Sequence, residues 1–145
     1  VTDYGRSNLI IQTGTDWQRV VTYRNPDGTL FNLTGYEARM QVRPAVLSET
    51  TILSLTSDPA AGITMGGALG TITLDIANAD LTEGDPGLDL SACTHQDWLL
   101  EAFDDGTATR GYGPLAVWDL ELITPAGKVD RIVQGQVCFD REVTR

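Results

Sequence analysis

Residues 117–140 read VWDLELITPAGKVDRIVQGQVCFD, and within them Trp118, Leu120 and Leu122 alternate with Asp119 and Glu121. Side chains of an extended strand point to opposite faces in turn, so the first three go to a core and the two carboxylates to water. Pro125-Ala126-Gly127 follows as a turn, because Pro presets φ and Gly accepts a positive one. Val129 to Phe139 then supplies a long returning arm. Its parity slips once: Val133, Val137 and Phe139 fall on one face and Ile132 on the other. That slip predicts a bulge near Ile132 or burial of both faces.

The same period of two recurs upstream. Leu9 to Gln12 is a short apolar run broken at Gly14, and Trp17 to Tyr23 is rich in β-branched and aromatic residues. Asn25-Pro26-Asp27-Gly28 is a strong turn signal, and the apolar residues that resume at Leu30 predict a hairpin with a brief second arm. Leu33-Thr34-Gly35-Tyr36 is a second turn. Beyond it Ala38, Met40 and Val42 alternate with Arg39, Gln41 and Arg43, until Pro44, which cannot donate to a ladder, ends the strand. Thr51 to Thr56 puts Leu53 and Leu55 inward, and Gly62 to Met65 makes a stub after Asp58-Pro59. Gly66, Gly67 and Gly70 form the next turn. Ile72, Leu74 and Ile76 then face in while Thr71, Thr73 and Asp75 face out.

Between Asn78 and Pro114 the alternation lapses among acidic residues, glycines and prolines. Thr94 to Ala102 is expected to form a short helix, with Thr94 as cap, Asp97 at the capping-box position, and Trp98, Leu99 and Ala102 on one face. Asp104-Asp105-Gly106 and Gly111-Tyr112-Gly113-Pro114 read as turn and loop. A long loop in a compact domain is usually functional or mobile. Seven or eight short strands without strand–helix alternation predict an all-β fold, an antiparallel β-sandwich of immunoglobulin-like layout, with a partly open barrel as the alternative. The chain is expected to be one domain over residues 1–145, with an irregular insert at about 80–114.

The 145 residues carry 20 Asp and Glu against 10 Lys and Arg, a formal net charge of −10. That balance argues against a nucleic-acid partner, whose phosphates need clustered Lys and Arg, and against an anionic membrane surface. No apolar stretch approaches the roughly 18 residues of a membrane-spanning helix, and the polar start Val1 to Asn8 does not read as a signal peptide. With 41% hydrophobic residues, the chain has enough apolar surface to fold without a metal or disulfide. Cys93 and Cys138 allow one disulfide or two free thiols. The latter, with at least one thiol partly buried, is the expected state.

No motif for catalysis or cofactor binding stands in the chain, and no enzymatic activity, cofactor or metal is expected. His95, the only histidine, has no evident nucleophile or orienting group, and with Cys93 and Cys138 it makes too few ligands for zinc. Asp119 and Glu121 share a face, a first requirement for glycoside hydrolysis, but read as the solvated side of a half-buried strand. Asp104-Asp105-Gly106 has the look of an acidic calcium turn without a full oxygen shell. Gly66, Gly67 and Gly70 sit between strands and not before a helix, so they make a hairpin turn and no phosphate cradle. Trp118 is expected in the core. Trp17, Trp98, Phe103 and Tyr112 are the candidate interface residues, aromatics being concentrated at interface centres.

The ordered stretches IIQTGTDWQRVVTYRNPDGTLFNLTGYEARMQVR, GTITLDI and VWDLELITPAGKVDRIVQGQVCFDREVTR resemble small proteins encoded among the tail and baseplate genes of tailed phages and prophages. They are similar in style to the N-terminal domain of upper baseplate proteins that carry receptor-binding modules. The resemblance covers about half the chain and brings no enzymatic residues. It implies a small β-sandwich that binds other virion proteins, working as a homo-oligomer within a particle assembled in the host cytoplasm. Its Thr13–Asp16 opening, Asn25–Gly28 turn and Leu33–Tyr36 corner are then fold-maintaining. The stretch from Asp80 to Pro114 departs from the pattern and looks like a protein-specific contact arm. Two alternative roles stay open at this point. One is a carbohydrate- or receptor-binding module using Trp98, Asp104, Asp105 and Tyr112. The other is decoration of the capsid surface.

Overall fold

The computed structural model describes residues 5–84, 87–101 and 108–141. Eleven strands form among them: β1 (Gly5–Arg6), β2 (Leu9–Gln12), β3 (Trp17–Thr22), β4 (Glu37–Arg43), β5 (Leu53–Ser57), β6 (Ala60–Ala61), β7 (Ile63–Met65), β8 (Thr71–Ile76), β9 (Thr94–Glu101), β10 (Ala108–Ile123) and β11 (Val129–Asp140). The larger sheet runs β1-β11-β10-β4-β5-β6, with β2 also on β11 and β9 also on β10, and the smaller runs β3-β8-β7. The protein is therefore all-β and built of two layers. It has more strands than the alternation predicts, because two-residue pieces such as β1 and β6 leave no periodicity to read. Pairing is antiparallel except where β1 and β2 lie parallel on β11.

Alternation places the core as expected. Ala38, Met40 and Val42 from β4, Ile72, Leu74 and Ile76 from β8, and Trp118, Leu120 and Leu122 from β10 are all buried in one cluster between the sheets. Burial of such side chains stabilises by roughly 1.5–3 kcal/mol each, the main term holding the layers together. Leu55 joins this core, while Leu53 is only partly buried. Tyr23, Phe31 and Tyr36 pack edge-to-face in series, with centroid separations of 5.1 and 5.6 Å, and the last two flank the Leu33–Tyr36 corner. That corner closes through Tyr36 N–H to Leu33 O, with Gly35 at φ 83°. The Asn25–Gly28 turn also forms, and its second arm is brief: Leu30 alone pairs with Arg24.

The parity slip in β11 is a bulge. Leu120 pairs with Val133 and Glu121 with Arg131, so Ile132 is the unpaired extra residue. Both Ile132 and Val133 are buried, which is why neighbouring apolar residues stand there.

The N-terminal strands are held by a device that local sequence does not announce. β1 and β2 keep one register against β11, yet after the Ser7 N–H bond to Gln134 O the backbone of Ser7 and Asn8 leaves the ladder. Asn8 Oδ1 accepts from Gln136 N–H in place of a backbone carbonyl. The freed Ser7 carbonyl accepts from the indole Nε1 of Trp118, 2.9 Å away. Gly135 lies beneath it, where any Cβ would sit 1.7 Å from Ser7 O.

The expected helix over Thr94 to Ala102 is not there. Thr94–Glu101 is a strand, paired residue for residue with β10 from Leu115 back to Ala108; Ala102 lies outside the described residues. Cap-like Thr94 and Asp97 lost to ladder bonding over eight residues, a tertiary outcome that overrides weak local preference. Likewise Gly111 to Pro114, read as loop, belongs to β10.

Candidate contact surface

β10 is long enough to serve two partners on one side. Along Val117–Ile123 it pairs with β4, and along Ala108–Leu115 with β9. On its other side β11 reaches back only to Leu115, opposite Cys138. Ala108–Tyr112 thus carry β9 on one side and no strand on the other among the described residues. β9 and this end of β10 form a two-stranded arm running past the sandwich. Its unpaired edge can accept another extended chain.

The four candidate interface aromatics fare differently. Tyr112 is 66% exposed, because the arm carries it beyond the strands that cover Ala116 and Trp118 on the same face. Trp17 is corrected: only 8% exposed, it packs into the core where β3 pairs with β8, opposite Ile76. Opening a strand, it reads as an accessible anchor, but the second layer closes over it. Trp98 is also buried, at 7% exposure, outside the inter-sheet core. Register puts it on the outer face of the large sheet, opposite Gly111, and that glycine is the reason it can lie flat. A Cβ at Gly111 would stand 2.3 Å from the ring. Its shielded indole Nε1 meets no acceptor among the described residues. Phe103, Asp104 and Asp105 lie outside the described residues.

The polar candidates are spent on structure. His95 Nδ1 lies 3.1 Å from Cys93 O and its Nε2 3.1 Å from Arg141 Nη2. A guanidinium only donates and a carbonyl only accepts, so the ring carries its proton on Nδ1 and accepts at Nε2. Arg141 at the same time grips Glu83 through both carboxylate oxygens. The strand face holding Asp119 and Glu121 is occupied by cations: Arg39 Nε is 2.8 Å from Glu121 and Arg131 Nε 3.5 Å from Asp119. Burial, and secondarily Glu121, raises the Asp119 carboxyl above its ordinary value, with Arg131, Arg39 and Arg43 pulling the other way. A raised carboxyl opposes folding at neutral pH, and the penalty fades as pH falls through its folded value. No group of three His, Cys, Asp or Glu side chains among the described residues is placed to hold a metal. Gly66 to Gly70 form the tight β7–β8 connection, as read.

Both cysteines are free and buried. Burial pushes the Cys138 thiol up to about 12. Cys93 is raised by burial first and by Asp89 next, against Arg141. At pH 7 the reactive thiolate of Cys138 is on the order of 10⁻⁵ of the total. Iodoacetamide at neutral pH is expected to leave both cysteines intact in the folded protein and to alkylate both in urea; mass spectrometry reads the difference.

Sequence reasoning missed the most exposed large apolar side chains among the described residues. Val46 and Leu47, in the β4–β5 turn, are 78% and 93% exposed. The available signal was two adjacent aliphatic residues just past Pro44, inside a turn that composition would fill with polar groups. A cleft of about 710 Å³ opens between β5 and the β6–β7 segment, lined by Leu53, Leu55, Ala60, Ala61 and Ile63 among others.

No protein-family model matches the chain, and no curated protein matches it.

Proposed function

We propose that this protein is a structural subunit of a tailed-phage particle, a baseplate or tail-associated domain whose work is protein–protein assembly. The β9–β10 arm carries the reading: a strand pair with an unpaired edge and an exposed Tyr112, projecting from a two-layer scaffold, is a surface for contact. The ordered resemblance of its strands and turns to phage tail and baseplate proteins supplies the setting. A role in binding glycans loses its best stacking platform, since the Trp98 ring is covered and cannot lie against a sugar. A charge of −10 would keep free subunits apart until a complementary surface arrives, so their rate of capture should change with ionic strength.

The test uses particles purified from the phage or prophage whose genome carries this gene. Mass spectrometry should find the chain at a stoichiometry fixed from preparation to preparation, and antibody-labelled electron microscopy should place it at the tail or baseplate. Particles that assemble and infect without it would overturn the reading. Label confined to the capsid would move it to the decoration role.

A further inference from the structure

Charge is not spread evenly over this chain. Residues 80–110 hold eight Asp and Glu against Arg110 alone, a net −7, and the other 114 residues together carry −3. Those 31 residues include all of β9 and the start of β10, so most of the excess charge belongs to the arm and its root. Little of it is neutralised within the fold. Arg141 grips Glu83, but Asp80, Asp89 and Asp97 form no ion pair among the described residues. Asp89 accepts from the Ser91 hydroxyl and N–H, which hold its carboxyl below the ordinary value and keep it charged.

The arm has its free edge at the same place. Beyond Leu115 no strand lies on the side of β10 away from β9 among the described residues. Ala108–Tyr112 contain no proline that would blunt this edge. Register decides what an added strand would meet. Tyr112 stands opposite Asp97 of β9, so the two side chains share a face, and both are exposed. A strand laid along β10 sets one residue beside Tyr112 in the same row, about 4.8 Å away, with Asp97 roughly 10 Å off across the ring. A lysine or arginine there covers the Tyr112 ring and extends toward the Asp97 carboxylate, joining a cation–π contact to an opposite-charge one. Two positions along the same face Arg110 is also exposed, and its row suits an uncharged or acidic neighbour.

We infer that the occupant of this edge is a cationic extended segment of another protein, which adds as a strand along Ala108–Tyr112 and sets a Lys or Arg opposite Tyr112. Backbone hydrogen bonds supply the part of the affinity that any extended chain would gain. The carboxylates of the arm supply the choice of partner and the speed of capture. A second copy does not fit, because two arms would set net −7 against net −7. β3 is another edge strand, but it carries Arg19 and no carboxylate. The setting of this contact rests on the assembly reading, whereas its test needs only the purified chain.

The probe is a fluorescently labelled peptide of two Val-Lys-Val-Thr repeats, whose spacing puts a threonine opposite Arg110 when a lysine is opposite Tyr112. Anisotropy should show saturable one-to-one binding, and nuclear magnetic resonance should show amide shifts centred on residues 108–112. Glutamate in place of the lysines should weaken binding by about tenfold. N-methylation of every peptide amide keeps charge and side chains but removes the donors, and should abolish binding. Tyr112→Ser should weaken binding roughly fivefold, and Arg110→Glu should tighten it. Both sites are exposed, so circular dichroism should find both variants folded. A lysine peptide that does not bind overturns the inference. So does an N-methylated peptide that binds equally well, which would leave attraction without strand addition, and so do shifts confined to β3. A glutamate peptide of equal affinity overturns the cationic partner, and unchanged affinity in both protein variants overturns the register at Tyr112. None of these outcomes bears on whether the protein resides in a phage particle, which particle composition decides separately.

Discussion

Gly135→Ala should destabilise the protein by roughly 3 kcal/mol and lower its melting temperature by about 10 °C. The added methyl would stand 1.7 Å from the Ser7 carbonyl. Backbone, unlike the tip of a flexible side chain, has no rotamer in which to retreat. The crossing segment must lift, and as it lifts Trp118 loses the acceptor of its 2.9 Å indole hydrogen bond. A buried donor left without a partner costs the desolvation it had already undergone. Two effects therefore coincide, and thermal melting followed by circular dichroism reads their sum. Trp118→Phe separates them: it removes the donor and leaves the crossing unobstructed, so it should cost clearly less. Equal losses in the two variants would show that steric approach over Gly135 is not what positions the N-terminal strands.

Gly111→Val is expected to have a comparable effect through a different part of the molecule. At this position a Cβ would lie 2.3 Å from the Trp98 ring, inside any permissible contact. The indole must swing off the face of β10 and into water, forfeiting the burial of one of the largest side chains in the chain. By comparison with truncations of buried aromatics the loss is about 3 kcal/mol, provided the arm unfolds together with the sandwich. Tryptophan fluorescence should shift to longer wavelength, and urea denaturation should show the lowered midpoint. Trp98→Leu in the Gly111→Val background should recover part of the loss, since a smaller side chain can share the face with valine. An unshifted emission spectrum would mean that Trp98 does not rest on Gly111.

These two glycines illustrate where reading the chain stops. Gly135 interrupts a strong strand pattern in VQGQV, and an isolated glycine there signals either a bulge or a close backbone approach. Both occur within a few residues, and only the bulge at Ile132 leaves a mark in parity. The close approach involves Ser7, more than a hundred positions away, and nothing near Gly135 points to it. Gly111 and Gly113 look like loop punctuation because alternating glycines break hydrophobic periodicity. In the fold they are strand residues whose missing side chains make room for Trp98 and for the Phe139 carbonyl. The same missing side chains removed the β signal from this end of β10. That left the cap-like Thr94 and Asp97 to suggest a helix in β9.

The candidate interface shows the same division. An aromatic residue advertises that it will be buried against something, but composition does not say whether that is the protein's own second layer or a partner. Trp17 went to the former, Trp98 to a glycine-floored site on the outer face, and Tyr112 alone of the described aromatic candidates stays open to solvent. Val46 and Leu47 carry no sequence signal of this kind, because a lone aliphatic pair in a turn has no periodicity. Its exposure is a property of the fold around it.

By itself the chain of residues determined the two-layer all-β architecture, the faces of β4, β8 and β10 that pack inward, the turns at Asn25–Gly28 and Leu33–Tyr36, and the bulge in β11. All of these are set by contacts within a few residues and by a side-chain period of two, both visible locally. Tertiary structure alone decided that β9 is a strand, that β1 and β2 lie parallel on β11, that Trp17 and Trp98 are covered, and that Val46 and Leu47 are not. Each of those outcomes depends on which distant strand arrives alongside, and pairing across many residues is chosen by the packing of the whole sheet.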